Sequence, residues 1–374
     1  MNPPAHLAPV AALEPVLRAH MQAGRHACRL PDDVVRGVVE QGLFRLWIPR
    51  RYGGFELTLP MALQVYEAAA RAEGSFGWAV MIGSGGGLFA AYLAPEVASV
   101  LFGPSAAVVA GSGAPTGTAE RVYGGYRVRG RWRYASGADY ATVFTANCQV
   151  RAQGQPVLCG CEPLIRAMSF SPTEVIIHRT WATSGLRATG SHDIEVIDAF
   201  VPEAATFSVL TDAPLESGPL YRVPFDTLTE LPVSAVALGI AQHALDAFTS
   251  MAQSKPAPGL ARPLSGVESV QEAVRAAEAC VAGARQALYE QAEQVWRITV
   301  AEGRAPLSVL NGATQACVRL VRSLVGAVAD LVPLAGMNAL HTDDPFAVAW
   351  RDLEATAAHY SVSPIKGQAT GRRA

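Results

Sequence analysis

The stretch 107–202 most limits what this chain can become, because it reads as strand inside a sequence that is otherwise helical. An apolar run, Ala107-Val108-Val109-Ala110, is followed by Gly111-Ser112-Gly113-Ala114-Pro115-Thr116-Gly117, small residues that predict a turn. Residues 121–128 then alternate around Gly124-Gly125. That pair predicts a two-residue hairpin turn, since both glycines tolerate positive φ. The period of two continues through Gly130-Arg131-Trp132-Arg133-Tyr134-Ala135-Ser136-Gly137, and 143–150, 174–178 and 193–197 read as further strands. Gly111-Ser112-Gly113 after a strand looks like the opening of a dinucleotide fingerprint, but that motif needs a helix next, to receive the pyrophosphate. Pro115 and a hairpin stand there instead, which excludes it.

Both flanks carry helical spacing. Before the β stretch, helices are expected over 7–28 and 31–41, the second stopped by Gly42. Ile48-Pro49-Arg50-Arg51-Tyr52-Gly53-Gly54 forms an extended link, and Thr58 caps a helix that carries Pro60 in its first turn. Residues 75–95 carry no charge and are long enough to cross a bilayer. Gly83, Gly85, Gly86 and Gly87 crowd the middle, so a buried, close-packed helix is the better expectation. After Pro202, helices are expected over 230–254, 267–300, 307–331 and 345–361, joined by short loops as in an antiparallel bundle. The expected fold class is α+β. It comprises an N-terminal all-α domain (1–106), a middle antiparallel β-barrel-like domain (107–218) and a C-terminal four-helix bundle (219–374).

Composition removes several functions. A formal net charge of −2 offers no basic field for nucleic acid or an anionic membrane. The six cysteines form no CxxC pair and complete no zinc set, so no metal is expected and a reduced, cytoplasmic setting fits. Residues 1–27 lack the apolar core of a secretory signal.

The domain order, the Ile48–Gly54 link, the Gly124–Trp132 hairpin, the Ser136-Gly137-Ala138-Asp139 turn and the Val201-Pro202-Glu203 exit together resemble acyl-CoA dehydrogenases. The resemblance spans nearly the whole chain. It implies an oxidoreductase with a flavin, FAD or FMN, between the β domain and the bundle, in a homo-oligomer, dimer or tetramer. Dehydrogenases usually carry Trp-Ile-Thr-Asn or similar on the strand facing the flavin, where this chain has Arg133-Tyr134-Ala135-Ser136-Gly137. The segment 181–193, with Trp350-Arg351-Asp352 followed by His359, is more similar to flavin-dependent hydroxylases built on the same fold. Those are two-component enzymes that take reduced flavin from a separate reductase and use O₂ on a small aromatic or related organic substrate. An acyl-CoA dehydrogenase acting on a thioester is the alternative. It lacks an evident base here, since the dehydrogenases' Tyr-Glu-Gly is missing and Glu354 comes too early. A flavin-free scaffold that only binds is the second alternative.

In the hydroxylase reading the site needs a dry pocket, a hydrogen-bonding group near flavin N5 and a group able to draw a proton from a phenol. Ser136, or the N–H beside it, matches the second need, although a serine before Gly137 also serves as an ordinary turn residue. His359 is the candidate base, since an imidazole titrates near ~6.5. In a continuous helix, Asp352, Ala355, Thr356 and His359 share one face, with Thr356 one turn from the ring. The plain alternative has His359 simply ending the helix. Ala135, Trp132, Thr189, Ser191 and Arg351 complete the cofactor-binding candidates. Strand alternation alone explains burial of Trp132, Thr189 and Ser191 also suit a polar loop, and Arg351 suits a bundle ion pair. His178 and His192 lack metal-ligand spacing and read as structural.

Overall fold

A computed structural model describes residues 4–257 and 259–366. The first layer is helical: α1 (Ala8–Ala27), α2 (Asp32–Glu40), α3 (Leu59–Ala72), α4 (Gly74–Gly85) and α5 (Pro95–Phe102). The charge-free stretch forms α4 and a 3₁₀ segment, Gly86–Ala91. Helix α4 is apolar on every side and buried on every side, packed against α3 and the later helices Thr227–Ser254 and Pro345–Ala357, so the membrane alternative lapses. Its N-terminus is capped by the Glu73 carboxylate, which accepts the Phe76 N–H at 2.7 Å.

The middle strands are β1 (Val109–Val122), β2 (Gly125–Ala135), β3 (Val143–Ala152), β4 (Ile165–Phe170), β5 (Ile176–His178), β6 (His192–Pro202) and β7 (Thr206–Phe207). They lie in one sheet in the order β7-β4-β3-β1-β2-β6-β5. Two expectations need correction. The sheet is mixed rather than antiparallel, because β1 runs parallel to β3, with Val109 opposite Val143. And 111–117 is no turn: β1 passes straight through it, with a bulge between Ser112 and Gly117. Two of its glycines are there for room: a Cβ on Gly117 would lie 2.0 Å from the Trp132 indole ring, and one on Gly111 1.9 Å from the Thr145 carbonyl oxygen. The hairpin turn also falls one residue earlier, at Tyr123-Gly124, where Gly124 alone takes positive φ.

Trp132 sits fully buried in a β core with Tyr126, Val128, Phe144, Met168, Phe170 and Ile194. Its indole N–H donates to the Asn147 carbonyl at 2.8 Å, which satisfies its one polar atom.

The C-terminal helices are α6 (Thr227–Ser254), α7 (Glu268–Glu302), α8 (Leu307–Ala329), a short α9 (Val332–Ala335) and α10 (Pro345–Ala357). Among the described residues, two segments are long and apolar enough to span a bilayer. The first, α6, is a core helix with most of its apolar stretch buried. The second, Leu307–Leu340, has only a third of it buried, and Leu307, Met337 and Leu340 are each about 70% exposed. The last helix stops at Ala357 rather than running to 361.

Replacing Trp132 by Ala is expected to lower stability by about 3–5 kcal/mol, the usual range for deleting a core aromatic. Urea unfolding measures it. A loss below ~1 kcal/mol would contradict the central place given to this ring.

Candidate active site

The end of β2 is bent out of register. The pairing with β6 shifts between Trp132 and Ala135, and Tyr134 in that bulge takes φ +66°, a costly conformation for an aromatic residue. The bulge leaves Tyr134 64% exposed and turns Ala135 and Ser136 inward, where both are buried. The loop between β5 and β6 meets them: the Gly137 N–H donates to the Thr189 carbonyl at 2.9 Å.

That loop is pinned from the far end of the chain. Leu186 also takes positive φ (+51°), and its N–H donates to Asp352 Oδ1 on α10 at 2.6 Å. A side chain at Gly185 would strike the Arg351 carbonyl at 1.9 Å, so only glycine allows the loop this close to α10. The Leu186 carbonyl in turn accepts the Trp181 indole N–H (3.0 Å) and the Thr189 hydroxyl (2.8 Å).

These constraints bring three candidate side chains into one buried row. Ser136 Oγ lies 2.7 Å from Ser191 Oγ, which lies 2.6 Å from Thr189 Oγ1. A fourth member, absent from the sequence candidates, is Trp78 on α4, whose indole N–H donates to Ser136 Oγ at 3.0 Å. Trp78 also carries the link to His359: the two rings meet edge to face, with centroids 5.4 Å apart. The Ser136 turn and the end of the bundle are therefore joined through Trp78 and do not face each other across a gap. A tryptophan in an uncharged helix has the look of ordinary core; the one available signal was its place in a helix apolar all round.

His359 differs from expectation in its support. It follows α10 and caps a 3₁₀ turn, Tyr360–Val362. The Thr356 hydroxyl donates to the Asp352 carbonyl and not to the ring. The ring nitrogen Nδ1 instead accepts the Ser361 N–H at 3.3 Å. A neutral ring with Nδ1 so engaged holds its proton on Nε2 and presents a donor there. Burial pushes its pKa down, which keeps it neutral at pH 7. Action as a base at Nε2 thus requires the proton to move to Nδ1 at the expense of the Ser361 bond.

Two other candidates lie elsewhere. Trp132 is enclosed in the β core and has no surface to offer a cofactor. Arg351 donates to the carbonyls of His341 and Thr342 (3.3 and 2.5 Å), and so caps the turn before α10. His178 pairs with Glu195 at 2.7 Å, and His192 Nδ1 accepts the Trp181 N–H at 3.1 Å; both serve structural contacts.

Behind the loop lies a buried acidic pair. Burial, then the nearby Glu73, push the Asp352 carboxyl up to about 8; burial also raises Glu73, against the pull of Arg25 3.4 Å away. Among the described residues Asp352 Oδ2 has no hydrogen-bond partner.

The polar groups of the row fit a flavin. Each hydroxyl of the row keeps a spare lone pair, and exposed Tyr134 and half-buried Trp181 supply aromatic faces beside it, 6.2 Å apart and near perpendicular. A planar heteroaromatic with polar edges matches such a wall. No cluster of His, Cys, Asp or Glu among the described residues could hold a metal.

Known proteins agree in family. Models described as acyl-CoA dehydrogenase N-terminal and C-terminal domains match residues 11–96 and 231–364. Indole-3-acetate monooxygenase of Pseudomonas putida is 30% identical over 352 residues, covering 93% of this chain and 87% of that protein. The flavin-dependent monooxygenase oxygenase subunit HsaA of Rhodococcus jostii is 28% identical over 94% of this chain and 93% of its own. XiaF of Streptomyces sp., solved with FADH2 and glycerol, shares the fold with a TM-score of 0.89 at 23% identity, covering 98% of this chain and 93% of its own.

Because folding raises the Asp352 carboxyl, the stability it contributes is complete below its ordinary range near ~4 and lost as pH rises through about 8. Asp352→Asn keeps the acceptor oxygen and removes the titration. Wild type is therefore expected to lose stability relative to Asp352→Asn across that window and to level off above it. Asp352→Ala leaves the Leu186 N–H buried and unpaired, a loss of about 1–3 kcal/mol. Denaturant titrations at acidic, neutral and alkaline pH test both; a gap between wild type and the Asn variant that ignores pH refutes the protonated carboxyl.

Proposed function

The chain belongs to the acyl-CoA dehydrogenase family, on its flavin-dependent monooxygenase branch, and we propose that it is the oxygenase component of a two-component system acting on a small aromatic substrate. The observation that carries this reading is the make-up of the site: hydroxyls, an indole N–H and a neutral imidazole, with the Asp352 carboxyl committed to Leu186 and Asp139 of the Ser136 turn paired with Arg179. Removing an α-proton from a thioester demands a free, placed base, which this arrangement does not offer.

When bound, reduced FAD or FMN supplies the electrons and the reaction with O₂. The protein's part is to hold the ring, exclude water and place the substrate. Ser136, Thr189 and Ser191 line the polar edge of the ring, with Ala135 behind. His359 Nε2 meets the substrate oxygen, first as a hydrogen-bond donor and then, after its proton shifts to Nδ1, as the acceptor of a phenolic proton. A separate flavin reductase delivers the cofactor, as the oxygenase-subunit relatives imply. The exposed apolar residues Leu307, Met337 and Leu340 favour a homo-oligomer through α8 and its neighbours, with a tetramer as the proposed state. Six free cysteines, of which Cys148 and Cys317 are buried, suit work in the cytoplasm.

The purified protein is expected to bind reduced flavin anaerobically and, given a reductase, NADH and a panel of phenols and indoles, to form a hydroxylated product. If it purifies yellow and bleaches on addition of an acyl-CoA, the dehydrogenase assignment takes its place. His359→Ala is expected to cut hydroxylation by a factor on the order of 100, and His359→Gln, which keeps a donor, to recover part of it. Unchanged product formation in the alanine variant removes the imidazole from the reaction.

A further inference from the structure

We propose that the buried hydroxyl row decides which redox form of flavin the site accepts, with Ser191 and Thr189 as specificity-determining residues. The inference rests on the reading above, that Ser136 meets the flavin at N5, and concerns the direction of the hydrogen bonds in the row.

That direction is fixed at both ends. An indole N–H can only donate, so Ser136 Oγ accepts from Trp78 (3.0 Å). A carbonyl can only accept, so Thr189 spends its proton on the Leu186 oxygen (2.8 Å). Thr189 Oγ1 must then accept from Ser191 (2.6 Å), and Ser191 Oγ must accept from Ser136 (2.7 Å). Each hydroxyl has one proton, and each is used. The row therefore runs one way, from Trp78 through Ser136, Ser191 and Thr189 to Leu186.

The consequence falls on Ser136. Its proton is committed to Ser191, and what it has left is a lone pair, so toward a ligand it is an acceptor. Reduced flavin carries a hydrogen on N5 and donates there; oxidised flavin has a bare N5 that accepts. The row matches the reduced form. To serve the oxidised form, Ser136 must withdraw its proton from Ser191, which leaves a buried hydroxyl short of one hydrogen bond. One such bond corresponds to roughly tenfold in affinity.

Two substitutions reverse the row by different routes. Ser191→Ala takes away the group that receives the Ser136 proton. Thr189→Val takes away the acceptor of Ser191, whose proton then turns back onto Ser136 and occupies its second lone pair; Trp181 still serves the Leu186 carbonyl. In both variants the Ser136 O–H is released to face N5.

The test is anaerobic titration of the full-length protein with FAD and FMN, each in oxidised and reduced form. Binding is followed by flavin absorbance and fluorescence, with thermal unfolding run alongside. Wild type is expected to favour the reduced form by at least about tenfold. Each variant is expected to bind oxidised flavin roughly five- to tenfold more tightly than wild type does, while its hold on reduced flavin weakens or stays level. Variants that weaken both forms in proportion, or leave the ratio unchanged, overturn the role of the row and leave the flavin site standing. A wild-type protein that binds neither form overturns the flavin site itself, and this inference with it. If one variant fails to fold, the other carries the same prediction.

Discussion

The hydrogen bond from the Leu186 N–H to Asp352 Oδ1 holds together parts of the chain 166 residues apart, and the site's order depends on it. Leu186 is in a left-handed conformation that a branched-chain residue adopts only when its surroundings compel it. In that conformation its carbonyl points back into its own loop, where it takes the protons of Trp181 and Thr189. Remove the Asp352 carboxyl, and the Leu186 N–H loses its tie to α10 while Thr183, Arg187 and Ala188 still anchor the rest of the loop. The row of hydroxyls would then lose its anchoring end. The helix that supplies Asp352 is the last of the bundle, so the finished loop of the middle sheet includes a contact from the C-terminal helices.

Much of this was visible in the residues. Period-two alternation and the turn glycines identify the sheet, and the helical stretches flank it as expected, because both signals come from burial of one face. The errors share a cause. Gly111 to Gly117 read as a turn because small residues usually mean one, whereas here Gly117 clears space for the Trp132 ring and Gly111 for the Thr145 backbone, contacts set by the neighbouring strands. The last helix read four residues too long because Ala355, Ala357 and Ala358 carry no stop signal; the chain turns where His359 and Ser361 can satisfy each other. Ser136, Thr189 and Ser191 could be named singly from the resemblance, but their junction could not. Nor could Trp78, whose part depends on α4 passing beneath both the sheet and the bundle.

Charge is kept out of the site by the same packing that forms it. Of the acids around the loop, Glu73 and Asp352 stand behind it, where burial drives both toward the neutral form, and Asp139, in the Ser136 turn, is paired with Arg179. His359 is driven the opposite way, to the neutral imidazole. The walls that remain are hydroxyls and rings. An uncharged, water-poor wall suits a reaction in which activated oxygen must be spared stray protons until an organic substrate is in position.

One scaffold thus serves two chemistries by exchanging what its polar groups offer. A dehydrogenase must take a proton from carbon and so needs a carboxylate within reach of the substrate. In this chain Asp352 is spent on the backbone of Leu186, and the hydroxyls of the buried row can only pass hydrogen bonds along a line. The direction of that line is dictated by two atoms that cannot change roles, an indole nitrogen and a peptide oxygen. Hydroxyls are usually the most adaptable of polar side chains, since each can turn to give or to receive. Tied between two such fixed ends, these three lose that freedom, and a set of neutral side chains acquires a definite polarity without any charge being placed in the site.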